Sequence, residues 1–276
     1  GYFEMENGIK LAHKFIADFP NDARFIQLAY DIAETYENQG RTDDAVNAYK
    51  DFTNMGYHDG VMKEEESMKV DDFRQLLMSA YYKIGQMELG RKNYSDAIEI
   101  WNKYISLFPD GPNWADAQQG ITNTEYQIGF DLLAQNRYDE AIASWNKFIE
   151  KYPFDYRSTP ILFAFGQIKY YLAEQAEKNK QENDAKTKYQ EAITEWSKLV
   201  SKYPNIEQSS LALFRIGQIY EEKLFDFDKA LESYRKLTWG SWYGQAQQRI
   251  REMTEKKLEL ATERIFRTNE PAKIKL

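Results

Sequence analysis

His13 and His58 are the only imidazoles in the 276 residues, and neither has a second ligand at the His-x3-His or Cys-x2-Cys spacing that a bound metal requires. Cysteine is absent, which removes thiolate nucleophiles, disulfides and sulfur-ligated metals. Carboxylates are plentiful, and the adjacent pairs Asp43-Asp44, Asp71-Asp72 and Glu221-Glu222 could in principle exchange protons. A general acid needs a desolvated cleft, however, and these pairs fall at polar helix ends. No Gly-rich phosphate loop and no Gly-x-Ser-x-Gly elbow occurs. The sequence therefore points to a protein that is not an enzyme, with no catalytic residue, cofactor or metal. What it offers in quantity is recognition chemistry: 15% of the residues are aromatic, with 20 Tyr and 6 Trp, and such rings contribute large contact areas.

The elements that must position those rings repeat along the chain. Ala45, Ala97, Ala141, Ala192 and Ala230 each precede, by four residues, Tyr49, Trp101, Trp145, Trp196 and Tyr234. Phe52, Tyr104, Phe148, Leu199 and Leu237 follow three residues later, and Pro109, Pro153 and Pro204 then end three of the helices. Upstream of each triplet lies a hydrophobic-small pair: Ile32-Ala33, Ile84-Gly85, Ile128-Gly129, Phe165-Gly166 and Ile216-Gly217. Small residues there let two helices approach closely. Gly8, Ala12, Phe15 and Pro20 fit the second half of an earlier unit. Recurrence of this kind marks helix pairs that bury their apolar faces only by stacking on one another. Asp43, Ser95, Asp139 and Asp228, two residues ahead of the repeat alanines, are expected to cap the second helices, and Gly40 and Gly90 to stop the first ones. Gln190 breaks the capping pattern, as a longer helix through that point requires. The expectation is about thirteen helices and no strand before the last residues.

These residues resemble the tetratricopeptide repeat over roughly residues 5 to 265, and the phrases FPND, FPDG, YPFD and YPN resemble the repeats of bacterial envelope lipoproteins in outer-membrane assembly. The likeness implies an all-α, right-handed superhelical solenoid of antiparallel helix pairs. Residues 1–265 would form the repeat domain, with five full units, an amino-terminal half unit and a closing helix. The alanine-to-alanine steps of 52, 44, 51 and 38 exceed the family's usual 34. The step from Gly166 to Ala192 is 26 residues where most units have 12, an excess of about four helical turns that two lengthened arms would absorb, with a turn over Lys178 to Asp184, Asn183 as its cap, and a charged arm projecting from the stack. The 52-residue step carries an insert from Gly56 to Val70, including Glu64-Glu65-Glu66, that reads as an exposed loop followed by a lengthened first helix.

In this repeat family the first helices line the concave side. A ring three residues before each small residue (Tyr30, Tyr82, Tyr126, Phe163, Phe214) and a side chain one residue after it (Glu34, Gln86, Phe130, Gln167, Gln218) would then line a groove for a protein or peptide segment, unless the rings are internal packing. A net charge of -8 and a pI near 5.1 argue against nucleic acid, which is held mainly by Lys and Arg. No apolar run is long enough to insert into a membrane. The helical segment Gln245–Arg264 carries Ile250, Met253, Leu258 and Ala261 as a closing face. Residues 266–276 form a tail or the start of a following domain, with strand-like alternation at Lys273-Ile274-Lys275-Leu276. RIFRTNEPAKIKL resembles the start of a macroglobulin-like domain in bacterial alpha-2-macroglobulin-like proteins, which implies the alternative of a structural amino-terminal module of a larger protease-trapping protein. The envelope likeness favours the periplasm over the cytoplasm.

Overall fold

The computed structural model describes residues 2–19, 24–55 and 70–268. The expected loop after Gly56, His58 and the strand-like tail from Asn269 lie outside these residues. Twelve α-helices account for nearly all of the described chain, and no strand occurs among the described residues. They are α1 (Tyr2–Asp18), α2 (Arg24–Asn38), α3 (Thr42–Met55), α4 (Val70–Gly90), α5 (Tyr94–Leu107), α6 (Trp114–Ala134), α7 (Tyr138–Lys151), α8 (Ser158–Lys178), α9 (Glu182–Lys202), α10 (Glu207–Gln218), α11 (Phe227–Lys236) and α12 (Tyr243–Thr268), with a π-helical segment Ile219–Lys223 after α10.

The chain divides into two compact units, Gly1–Ser144 and Trp145–Leu276, the division falling inside α7. In the first unit α2 pairs with α3 and α4 with α5, while α3 packs on α4 and α5 on α6. In the second, α8 pairs with α9 and α10 with α11, and α9 packs on α10 and α11 on α12. Both units are stacks of antiparallel helix pairs, the tetratricopeptide type of all-α fold.

The repeated triplet is the core. All five alanines are fully buried, as are the five rings after them and the five apolar residues that follow. In three units the fit between paired helices depends on a missing methyl group, Gly217 meeting the ring of Tyr234 as two others meet tryptophan. Any Cβ on Gly85 would overlap the indole of Trp101, and any Cβ on Gly166 that of Trp196. Substituting any of these glycines therefore forces the ring or the paired helices to shift.

Two of the expected boundaries shift for physical reasons. Asp43, Ser95, Asp139 and Asp228 stand at the second position inside α3, α5, α7 and α11 rather than at the caps. There Asp43, Asp139 and Asp228 complement the positive end of the helix dipole. The side-chain cap of α11 is Asp226, which accepts from the Lys229 amide at 3.2 Å. Gly90 is the last residue of α4, and the left-handed position belongs to Lys92 (φ 61°). The same position is filled by Gly40 (φ 71°), Asn136 (φ 60°), Lys180 (φ 59°) and Phe225 (φ 55°). Every turn from a first helix to its second thus passes through αL, a conformation costing non-glycine residues of order 1 kcal/mol.

The long unit takes the form of two 21-residue helices, α8 and α9, joined at Asn179–Gln181. Asn183 lies inside α9 and caps nothing. The arm is not uniformly polar: Ala173, Ala176, Ala185 and Tyr189 bury an inner face along the extension. The closing face of α12 is realised by Ala246, Ile250 and Met253, which pack on the cluster around Phe214 and Tyr234, whereas Leu258 is exposed.

Candidate functional site

The first helices α2, α4, α6, α8 and α10 carry the ring and polar positions read from the sequence, and the structure separates the two sets. Tyr30, Phe163 and Phe214 are buried. Tyr30 meets Tyr49 and Phe52 edge-on, each with 5.4 Å between centroids. Its hydroxyl lies 2.7 Å from Ser79 Oγ on α4. Phe163 stacks on Trp196 at 5.7 Å, and Phe214 lies 5.6 Å from Tyr234 and 5.1 Å from Trp242. These three rings are core, not groove wall. Residues three apart share a helix face, so a ring three before the small residue follows it toward the second helix of the same pair.

Tyr82 and Tyr126 are half-buried, the first 6.3 Å from Tyr104 and the second edge-on to Phe130 at 5.0 Å. Burial, and then Asp116 on α6, raise the Tyr82 phenol above its ordinary value, against a lowering bond from Gln86. The position after the small residue points elsewhere, since one residue rotates about 100° around the helix. Gln86, Gln167 and Phe130 are exposed, and Glu34 and Gln218 partly so. Glu34 accepts from Lys83 Nζ at 3.2 Å across α2 and α4. Among the predicted site residues, the surface of the first helices is therefore two amides, one carboxylate, a phenyl ring and a half-open amide.

A second constellation, absent from the sequence reading, ties successive pairs together. Tyr49 on α3 donates its hydroxyl to Glu37 Oε2 on α2 at 2.7 Å, and Lys83 on α4 donates to the same oxygen at 2.8 Å and to the Tyr49 hydroxyl at 3.1 Å. Burial and the Glu37 bond push the Tyr49 hydroxyl far above its ordinary value. Burial opposes the charge on Lys83, but its bonds to Glu37 and Tyr49 outweigh this and raise its pKa. The second unit repeats the device twice. Tyr189 donates to Glu177 Oε2 at 2.8 Å and Lys223 clamps that oxygen at 2.7 Å. Tyr234 donates to Glu221 Oε2 at 2.9 Å while Arg249 of α12 holds both carboxylate oxygens.

Where the repeat ring is Trp, the polar contact differs. Trp101 Nε1 donates to the Tyr82 carbonyl at 3.3 Å and Trp196 Nε1 to the Phe163 carbonyl at 3.0 Å, inside their own pairs. The sequence did carry a signal for this. Four residues after the small residue stand Glu37 and Glu221 where the ring is Tyr, and Leu89, Leu133 and Tyr170 where it is Trp.

One carboxylate is nearly sealed. Glu88, 1% exposed, accepts from Lys50 Nζ at 2.7 Å, Asn93 Nδ2 at 2.8 Å and Arg91 Nη1 at 3.2 Å. Burial works against its charge, yet Lys50 and Asn93 hold its pKa below the usual carboxylate value. Asp131, with Tyr94, Lys92 and Gln127 as donors, is lowered to about 2, while burial and then Asp131 push Tyr94 up to about 12. These groups are consumed by each other. Among the described residues no three His, Asp or Glu side chains gather as a metal site, and no helix is long and apolar enough to cross a membrane. His13 is exposed on the rim of a recess of about 510 Å³ beside Ile16, Tyr36 and Asp51. A cleft of about 810 Å³ lies between Phe225, Phe227 and Leu231 on one side and Arg249, Met253 and Lys257 of α12 on the other. Neither contains a predicted groove residue.

The model of the outer membrane lipoprotein family YfiO matches residues 74–256, well over half of the chain, and a tetratricopeptide repeat model matches residues 27–54. No curated protein matches the sequence. Similar solved structures include the P58(IPK) TPR domain, 17% identical over 94% of this chain and 66% of that one with a TM-score of 0.32. YrrB, described as a TPR protein with an unusual peptide-binding site, is 17% identical over 82% and 90% of the two chains with a TM-score of 0.27. MamA from Desulfovibrio magneticus RS-1 is 16% identical over 77% and 92% with a TM-score of 0.25. On the family model, the chain belongs to the outer membrane lipoprotein family of the YfiO type.

Proposed function

We propose that this member of the outer membrane lipoprotein family is a non-enzymatic scaffold of the cell envelope that holds a protein or peptide segment against the first helices of its repeats. The observation that carries this reading is the partition of side chains on those helices. Tyr30, Phe163 and Phe214 are spent on packing, and so they fix the backbone, while Gln86, Gln167 and Phe130 are left in solvent beside half-buried Tyr82 and Tyr126. An amide presents both a donor and an acceptor. Exposed amides on a rigid helix can satisfy the main chain of a bound segment, and the part-open rings supply contact area at small entropic cost. In the first unit Glu34 and Gln86 belong to neighbouring helices that the Lys83 ion pair holds together.

A photo-crosslinking amino acid placed at 86, 130, 167 or 218, in turn, is expected to trap a polypeptide in cells of the source organism. The same group at exposed second-helix positions 102, 146 and 197 is expected to trap none. Equal trapping on both faces, or none at the first-helix positions, would sink the assignment.

A further inference from the structure

Antiparallel pairing sends alternate turns to opposite ends of the helices, so in the second unit the turns before α8, α10 and α12 share one end. Two bonds tie the first turn of α10 to the turn before α12. Ser210 Oγ donates to the Trp239 carbonyl at 3.2 Å, and the Ser241 amide donates to Glu207 Oε1 at 3.0 Å. This end collects exposed aromatic rings. Phe154 is 99% exposed and Tyr156 82%, and Trp239 and Tyr243 are 39% and 43% exposed. The turn that presents Phe154 is stiff. Asp155 takes the Arg157 guanidinium through both oxygens, at 2.8 and 2.7 Å, and also accepts the Arg157 amide at 2.9 Å. Only 16% of the Asp155 side chain and 11% of the Arg157 side chain remain exposed, so their charges cancel within the turn.

Each helix that leads into this end finishes on cations: Lys151 in α7, Lys202 in α9, and Arg235 and Lys236 in α11. Lys151 and Lys202 sit over the equivalent rings of Tyr152 and Tyr203, at 5.1 and 5.3 Å. The matching helices of the first unit, α3 and α5, carry no cation in the last turn. The turn after α5 has Asp110 and Pro112 where this unit has Phe154 and Tyr156. Nothing in the fold requires a fully exposed phenyl ring, because sister turns close without one.

We infer that this end of the second unit is a peripheral docking surface for a lipid bilayer with anionic headgroups. Phe154 would enter the acyl boundary, Tyr156, Trp239 and Tyr243 would sit at headgroup depth, and the lysines would face the phosphates. Amphipathic rings at the interface with lysines among them are what a bilayer surface selects. A protein socket would explain one protruding ring, but it gives no reason for exposed rings at two turns, before α8 and before α12, each following a helix that ends on lysine. The surface lies on the bilayer and does not cross it. It is distinct from the first-helix faces proposed above, and does not depend on them.

The test is sedimentation of the 276-residue chain with vesicles of phosphatidylethanolamine and phosphatidylglycerol at three to one, in low salt. The wild type is expected to co-sediment, and Phe154→Ala/Tyr156→Ala to lower the partition coefficient by about fivefold or more with an unchanged melting temperature. Lys151→Ala/Lys202→Ala should lower it by roughly thirtyfold on these vesicles, on the basis of about 1 kcal/mol per surface lysine, and little on phosphatidylcholine. Phe225→Ala/Phe227→Ala, at the other end of the same unit, is the control and should change nothing. The inference is overturned if the wild type does not sediment above a vesicle-free sample, or if Phe154→Ala/Tyr156→Ala binds as well as wild type. Equal losses in the two aromatic double variants would also overturn it.

Discussion

The α2–α3 pair and the α8–α9 pair place a ring at the same point of the repeat and satisfy its polar atom in opposite ways. Trp196 turns its N–H to the carbonyl of Phe163, which belongs to its own pair. Tyr49 sends its hydroxyl to Glu37, whose charge is then answered by Lys83 from the following pair. At this position tryptophan keeps its polar contact within the pair, whereas tyrosine hands its carboxylate on to the next pair. The α8–α9 pair makes that outward link from a different ring, Tyr189, through Glu177 and Lys223. The difference teaches where coupling between pairs resides in such a stack: in the carboxylate that a phenol recruits, whichever ring supplies it, more than in the apolar contact common to both.

Removing the rings should expose the contrast most strongly. Trp196→Ala is expected to cost about 4 kcal/mol through cavity formation and the loss of a buried bond, read as a lower urea midpoint. Glu88→Gln should come next, at about 2 kcal/mol, because three donors lose a charged acceptor. Glu88 also sets a pH dependence. Its folded pKa is depressed, so its contribution is complete above the ordinary value of 4.5 and disappears as pH falls below it. The wild type should therefore lose more stability than Glu88→Gln between pH 5 and 3, roughly. A midpoint that falls equally in both would show that other carboxylates govern acid unfolding.

Smaller effects sharpen the comparison. Tyr49→Phe is expected to cost about 1 kcal/mol, and a double-mutant cycle with Lys83→Ala should give a coupling of at least about 0.5 kcal/mol. Additivity there would mean that the phenol and the lysine act independently. Recasting the pair in the tryptophan style, with Ala33→Gly, Glu37→Leu and Tyr49→Trp together, should recover most of what Tyr49→Trp alone loses, as judged by melting temperature. The smallest expected change is a gain. Lys180→Gly relieves a left-handed non-glycine residue and should stabilise the arm by about 0.5 kcal/mol, the relieved strain exceeding the added chain entropy.

Much of this architecture was legible in the sequence because the buried positions are spaced by covalent geometry. Ala45, Tyr49 and Phe52 fall on one face of a helix and reappear four more times, and all fifteen such side chains are buried. The twin 21-residue helices followed from the interval between Gly166 and Ala192. Less legible were the ends, because an acidic residue at the second helical position is stabilised by the dipole almost as well as at the cap, and the two look alike in one sequence. The ring ladder misled for a different reason. The three-residue step from Tyr30 to Ala33 keeps both on the inner face, so the aromatic types reported packing while the amides beside them reported surface.

The five-residue π segment Ile219–Lys223 has a counterpart in the spacing of the last unit. Thirteen residues separate Glu221 from Tyr234, against twelve from Glu37 to Tyr49. The widened turn swallows the surplus residue before it can rotate everything downstream. A repeat array with such a slack point can gain a codon without re-registering its neighbours, so its members are free to drift in length while the joints between them stay the same.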